Sequence, residues 1–181
     1  MESLNISPDA VAQTSAPLSQ DYYDSAKAAL MGTIQRGTNW FYWIAALSLL
    51  NTVIAFVGAN LAFGLGMGIT QIFDAFTTKL EGPLKVIPLV VGFVTIGVFA
   101  LFGYLGGKGQ LWVIVLGTVL YLLDGLLLLA LMALSGELLI VGVLIHGLAL
   151  YHLFNSIGAC RRLKQTEAEQ AALPPPAPPM F

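Results

Sequence analysis

An all-α membrane protein, built as a four-helix transmembrane bundle with two interfacial amphipathic helices, is the fold class that this sequence predicts. Charged residues make up only 10% of the chain, against about 25% in soluble domains, and 57% of its residues are hydrophobic. Four long stretches carry at most one charge each. Each of them provides the ~20 apolar residues that a helix needs to cross a hydrocarbon core ~30 Å thick. Elsewhere the hydrophobic residues recur at the spacing of amphipathic helices.

The chain before the first span is predicted to contain a tail and a short helix. Residues 1–18 are small and polar, which is typical of a disordered N-terminal tail. Residues 19–36 predict an amphipathic helix, because Ser19 suits its N-cap and Tyr22, Ala26 and Leu30 recur on one face. We expect this helix to lie at the membrane interface. The alternative is a water-exposed extension of the first span.

The four-span membrane domain is predicted over residues 19–164. Its spans are expected at about 40–60, 85–107, 110–134 and 138–159, and the first begins with aromatic residues typical of headgroup level. A second interfacial helix is expected at about 69–81, with Phe73 and Phe76 on its apolar face. Residues 165–181 are predicted to form a proline-rich disordered tail.

The distribution of basic residues predicts the orientation. Four spans leave both termini on one side of the membrane, and short loops rich in lysine and arginine stay in the cytoplasm. Two basic residues, Lys79 and Lys85, fall on the side opposite the termini. Six fall on the side of the termini: Lys27, Arg36, Lys108, Arg161, Arg162 and Lys164. The sequence therefore predicts a multi-pass protein of the inner (cytoplasmic) membrane with cytoplasmic N- and C-termini.

Asp124 is the residue most expected to carry function. It is the single charge in the third span, where a carboxylate costs ~2.5–3.5 kcal/mol on insertion scales and therefore needs a buried partner or a proton. The third and fourth spans are joined by a turn near Ser135 and Gly136, and both Asp124 and His146 lie about ten residues from it. Antiparallel neighbours at equal distance from a turn share a depth, so we expect Asp124 and His146 to meet.

A buried polar layer is predicted around this pair, with Asn51 and Thr95 at the same level and Tyr121 one turn from Asp124. One interpretation is a proton or cation relay, or a polar ligand site, at the middle of the bilayer. The other is structural, because polar side chains that bond between helices also fix their register.

Other chemistry is not indicated by the sequence. A net charge of −2 argues against a nucleic-acid partner, and one cysteine and two histidines leave no recognisable metal or disulfide pattern. His152 and Asn155, near the cytoplasmic end of the fourth span, are expected to reach headgroups or water, as is Ser156. No catalytic residues, cofactor or metal are predicted.

Three functions remain open from the sequence. The first is a non-enzymatic accessory or scaffold subunit, surrounded by membrane lipids and associated with a larger membrane complex or with further copies of itself. The second is a small transporter, channel or ligand-binding membrane protein that uses the Asp124–His146 layer. The third is a membrane enzyme acting on a lipid or quinone, with its substrate admitted beside Phe73 and Phe76.

Overall fold

The computed structural model describes residues 20–57, 86–135 and 140–173, and it is all-helical. The helices are α1 (Gln20–Val57), α2 (Val86–Gly107), α3 (Leu111–Ser135) and α4 (Ile140–Ala172). Within these residues, α2, α3 and α4 are long and apolar enough to cross a membrane, which confirms the predicted all-helical class and is compatible with the predicted membrane spans. The first span is predicted to end at about residue 60 and the second interfacial helix is predicted at about 69–81, so the end of the former and all of the latter lie outside the described residues.

The four helices form a closed ring of neighbours around a common core. α1 packs against α2 and α4, and α3 packs against α4 and, less closely, against α2. Aromatic rings fill the centre: Phe41, Phe99 and Phe102 meet edge to face, with ring centroids 5.7–6.0 Å apart. Tyr121 continues this cluster from α3, 6.3 Å from Phe99. Because such contacts hold rings in defined orientations, they fix the rotation of α1, α2 and α3 about their axes.

Residues 20–36 do not form a separate helix, which differs from the expectation. α1 runs without a break from Gln20 to Val57. The reason is packing against α4: Ile34 and Thr38 are fully buried, and the Ser156 hydroxyl donates a hydrogen bond to the Ile34 carbonyl at 3.4 Å. A helix with a continuous buried face has no reason to end between Arg36 and Trp40. The structure corresponds to the alternative, an extension of the first span.

The chain after residue 164 also differs from the expectation, because α4 continues through residues predicted to be disordered. Residues 165–172 are rich in Gln, Glu and Ala, which are good helix formers. They pair with the start of α1, where Lys27 Nζ lies 2.9 Å from Glu167 Oε1 and the Gln170 amide donates to Gln20 Oε1 at 3.3 Å. The hydrogen bond and charge of Glu167 raise the pKa of Lys27.

The turn between α2 and α3 is tight, in agreement with the predicted spans, which leave only residues 108 and 109 between them. Gly109 adopts φ +78°, a left-handed conformation that other residues rarely tolerate. The Cys160 thiol donates to the Gly109 carbonyl at 3.1 Å, which ties this turn to α4. The turn therefore lies at the same end of the molecule as the start of α1 and the end of α4. All six basic residues among those described lie at this end of the molecule, which we call the basic end: Lys27, Arg36, Lys108, Arg161, Arg162 and Lys164.

Candidate functional site

The structure brings Asp124 and His146 together in the middle of the helical ring. Asp124 lies thirteen residues after Leu111 and eleven before Ser135, so it is ~20 Å and ~17 Å from the two ends of α3 at ~1.5 Å per residue. His146 Nε2 is 3.2 Å from Asp124 Oδ2. Both residues are buried, with exposures of 4% for His146 and 6% for Asp124. The pairing expected from the α3–α4 turn is therefore present in the fold.

The second nitrogen of His146 decides which hydrogen bonds the ring can make. Its Nδ1 lies 2.9 Å from the Gly142 carbonyl oxygen, which is only an acceptor, so Nδ1 must carry a hydrogen and donate it. Nε2 then faces the Asp124 carboxyl group. Two lone pairs would repel there, so one proton must lie between Nε2 and Oδ2. Whichever atom holds that proton, the pair has no net charge.

Two residues of α3 lie against the imidazole ring. Tyr121 stacks on it with centroids 4.6 Å apart and planes 7° from parallel. A methyl group on Gly125 would lie 3.2 Å from His146 Cδ2, a tight contact, so glycine at this position leaves room for the ring beside α3. Both residues belong to α3: Tyr121 lies one turn before Asp124, and Gly125 lies one residue after it. The same helix therefore supplies the partner and the walls of the histidine site.

A groove of about 350 Å³ lies beside Asp124, between α2 and α3. Asp124 and Phe99, both buried, form its floor. Val94 and Leu123, which are 60% and 55% exposed, stand at its rim. The remaining lining residues are Thr95, Val98, Leu120 and Leu127. The groove is thus an apolar channel that opens on the outside of the ring and has a carboxyl group at its floor.

Local sequence explains why the groove lies there. Near the α2–α3 turn the two helices touch, since a methyl group on Gly106 would lie 3.2 Å from Ile114, and one on Gly117 would overlap Phe102. Farther from the turn, α2 presents the short side chains of Val94, Thr95 and Val98. Short side chains on one helix cannot fill the space that larger residues fill between closely packed neighbours.

The other members of the predicted polar layer have different places. Thr95 lines the groove with Asp124, but its hydroxyl donates to the Val91 carbonyl of its own helix at 2.9 Å. Asn51 belongs to α1, and its side chain lies outside the described residues. The contact of Trp40 with His152 sets the register of α1 against α4 and puts Ala46, five residues or ~7.5 Å before Asn51, level with His146.

Predictions for the basic end of α4 need one correction. Asn155 is exposed and His152 is half-buried, with its ring stacked on Trp40 at 5.5 Å. Ser156, expected to reach headgroups or water, is instead fully buried and faces Gly37 of α1. The cause is the close approach of α1 and α4, which a glycine at position 37 permits. Phe73 and Phe76 lie outside the described residues.

Several residues of the site were not identified from the sequence. The Gly142 carbonyl and the groove-lining residues Val94, Phe99 and Leu123 carry no chemical signature that separates them from other apolar helix positions. Ser48 and Thr52 of α1 are buried as well, and neither was singled out. The sequence feature that could have indicated the groove is the set of short β-branched side chains on one face of α2, Val94, Thr95 and Val98.

Metal chemistry has no support in the described chain. Over residues 20–57, 86–135 and 140–173, no group of three or more His, Cys, Asp or Glu side chains could hold an ion. The site consists of one acid, one imidazole, one phenol ring and an apolar groove.

No protein-family model matches the sequence, and neither a curated protein nor a solved structure resembles it significantly. The fold and site define an all-helical protein with helices suited to a membrane.

Proposed function

We propose that this protein is a four-span integral protein of the cytoplasmic membrane with both termini in the cytoplasm. Three membrane-compatible helices and many exposed large apolar side chains support insertion in lipid. The basic end supports the orientation, because lysine and arginine near helix ends favour the cytoplasmic side. The fourth span would be the apolar part of α1, from about Trp40.

Cysteine labelling tests this orientation. In a variant in which Cys160 is replaced by alanine, a single cysteine at position 79 is expected to react with a membrane-impermeant maleimide in intact cells. A cysteine at position 169, near the exposed end of α4, is expected to react only after the cells are opened. The reverse pattern would invert the topology, and reaction of both sites in intact cells would contradict the four-span arrangement.

Within that membrane, we propose that the protein binds a small membrane-soluble ligand and catalyses no reaction. The observation that carries this proposal is the buried Asp124–His146 pair at the floor of an open apolar groove. An apolar pocket with few convergent polar groups is the usual form of a ligand site. An acid in the middle of a span is costly and is typical of functional positions.

Binding explains the site better than ion conduction does. A path along the ring axis from the basic end to Asp124 would have to pass Phe41, Phe99 and Phe102, whose rings pack against one another there. The groove, in contrast, opens sideways towards the surrounding hydrocarbon. A polar group carried by a lipid-soluble molecule can reach Asp124 by that route without crossing the aromatic cluster.

Native mass spectrometry of the purified protein tests the binding role. We expect a small molecule of discrete mass to stay bound to the wild-type protein released from detergent micelles. We expect a loss of about fivefold or more in the bound fraction when Asp124 and His146 are both replaced by leucine, because one hydrogen bond contributes ~1 kcal/mol. Equal retention by both proteins would refute the role of the pair.

An accessory subunit of a larger complex remains a second role that the sequence predicts. The paired ends of α1 and α4 favour it, since the Lys27–Glu167 and Gln20–Gln170 contacts hold a polar two-helix extension beyond the apolar core. Migration on a native gel at the mass of a single chain, without any partner, would count against this role.

A further inference from the structure

We infer that the α2–α3 groove is the binding site for an uncharged amphiphile that has a hydroxyl head group and an apolar body and that enters sideways from the bilayer. This inference rests on the proposed binding function and specifies its ligand. The ligand's hydroxyl donates a hydrogen bond to the Asp124 carboxyl group, and its apolar body lies against Phe99, Val98 and Leu120.

The shape of the groove supports sideways access. Exposure rises from the floor to the rim, from 4% at Phe99 to 55% at Leu123 and 60% at Val94. The groove lies beside the middle of α3, at the depth of the hydrocarbon chains in a spanning arrangement. A ligand at that depth reaches the rim from the lipid and has no need to cross the packed core.

The charge of the pair selects an uncharged head group. One proton lies between His146 Nε2 and Asp124 Oδ2, so the pair has no net charge to offset a charged ligand. A charged head group would therefore remain uncompensated at the bilayer centre, where charges are costly. A carboxyl group has about four acceptor positions, so one that already has protein partners, His146 among them, can still accept a hydrogen bond from a hydroxyl.

The size of the groove limits what it encloses. Its volume of about 350 Å³ is at the lower end of the ~300–1,000 Å³ range of small-molecule sites. It holds a head group with a ring or part of a chain, and the remainder of a longer chain leaves through the open rim. The lining contains the acceptor Asp124 and one hydroxyl residue, Thr95. The groove can therefore bind a ligand with a single polar group.

Photolabelling tests this inference on the full-length protein in phosphatidylcholine vesicles. Three probes carry a diazirine at the same position near the head: hexadecanol, hexadecane and hexadecanoic acid analogues. We expect the alcohol to label peptides of residues 94–99 and 120–127 about fivefold more strongly than the alkane does, the effect of one hydrogen bond, and excess unlabelled hexadecanol to remove that difference. The alkane should label exposed faces of all four helices without competition.

Two matched variants separate the groove from ordinary lipid contact. Leu123 and Leu126 are both 55% exposed on α3, but only Leu123 lines the groove. Leu123→Trp is expected to abolish competed labelling by the alcohol, and Leu126→Trp to leave it unchanged. Identical labelling by alcohol and alkane, or equal effects of both variants, would overturn the inference, and preferential labelling by the acid would refute the uncharged head group.

The two proposals fail in different ways. If native mass spectrometry shows a molecule held by Asp124 and His146 but the alcohol is not competed, the binding function stands and the ligand class is wrong. If nothing is held by the pair and the alcohol labels like the alkane, both proposals fail.

Discussion

Replacing His146 with leucine is expected to lower the free energy of unfolding by about 2–3 kcal/mol, because it leaves the Asp124 carboxyl group without its histidine partner in a buried position. Leucine has a similar volume and can pack against Tyr121, so the loss reports the polar contact rather than a cavity. The measurement is unfolding in mixed detergent micelles by SDS titration, followed by tryptophan fluorescence.

A double-mutant cycle isolates the pair. Asp124→Leu alone should also destabilise, because it leaves Nε2 of His146 buried without its partner. The double variant Asp124→Leu/His146→Leu is expected to be more stable than the sum of the single effects predicts, by about 1 kcal/mol or more, since neither polar group is then left behind. Strict additivity would show that the two residues do not stabilise each other.

Asp124→Asn is the conservative control for this cycle. Its amide can donate to Nε2 while Nδ1 of His146 continues to donate to the Gly142 carbonyl. We expect its stability to stay within about 1 kcal/mol of the wild-type protein, the value of one neutral hydrogen bond. A loss as large as that of His146→Leu would instead indicate that the pair is ionic and that its charge is needed.

The Asp124–His146 contact could be predicted from the sequence, whereas the position of Asn51 could not. Asp124 and His146 were predicted to meet because a short turn makes depth in two antiparallel helices a matter of counting. Asn51 could not be located in the same way, because the long segment between α1 and α2 gives no fixed point from which to count. The register of α1 comes instead from contacts such as that between Trp40 and His152, which follow from shape and not from polarity.

The groove and the helix ends illustrate two further limits. A groove forms where two packed helices leave a space between them. Val94 and Leu123 line it because of the distance between α2 and α3, which the sequence does not give. The helix ends were misjudged for a different reason. Polar residues of α1 and α4 resemble disordered or interfacial segments when each segment is considered alone, and contacts between them such as Lys27–Glu167 follow only from the way the two helices pack side by side.

Gly37→Ala is expected to destabilise the protein by about 2 kcal/mol or more, the usual cost of forcing extra atoms into a packed contact. A methyl group at this position would overlap the Ser156 hydroxyl and would lie 2.5 Å from the His152 carbonyl oxygen. The side chain of Ser156 can rotate, but the backbone of α4 cannot move without breaking its own helix. α1 and α4 must therefore separate, which weakens the stacking of Trp40 on His152.

Two comparisons make this second prediction specific. Gly147→Ala, in α4, meets no atom within 4 Å and should leave stability unchanged or raise it by up to ~1 kcal/mol through helix propensity. Combining Gly37→Ala with Ser156→Gly removes the overlap with the hydroxyl and leaves the one with the His152 carbonyl, so the rescue should be partial. Full rescue would mean that side-chain crowding alone limits the approach of α1 and α4. A stability of Gly37→Ala equal to that of Gly147→Ala would mean that the two helices do not approach this closely.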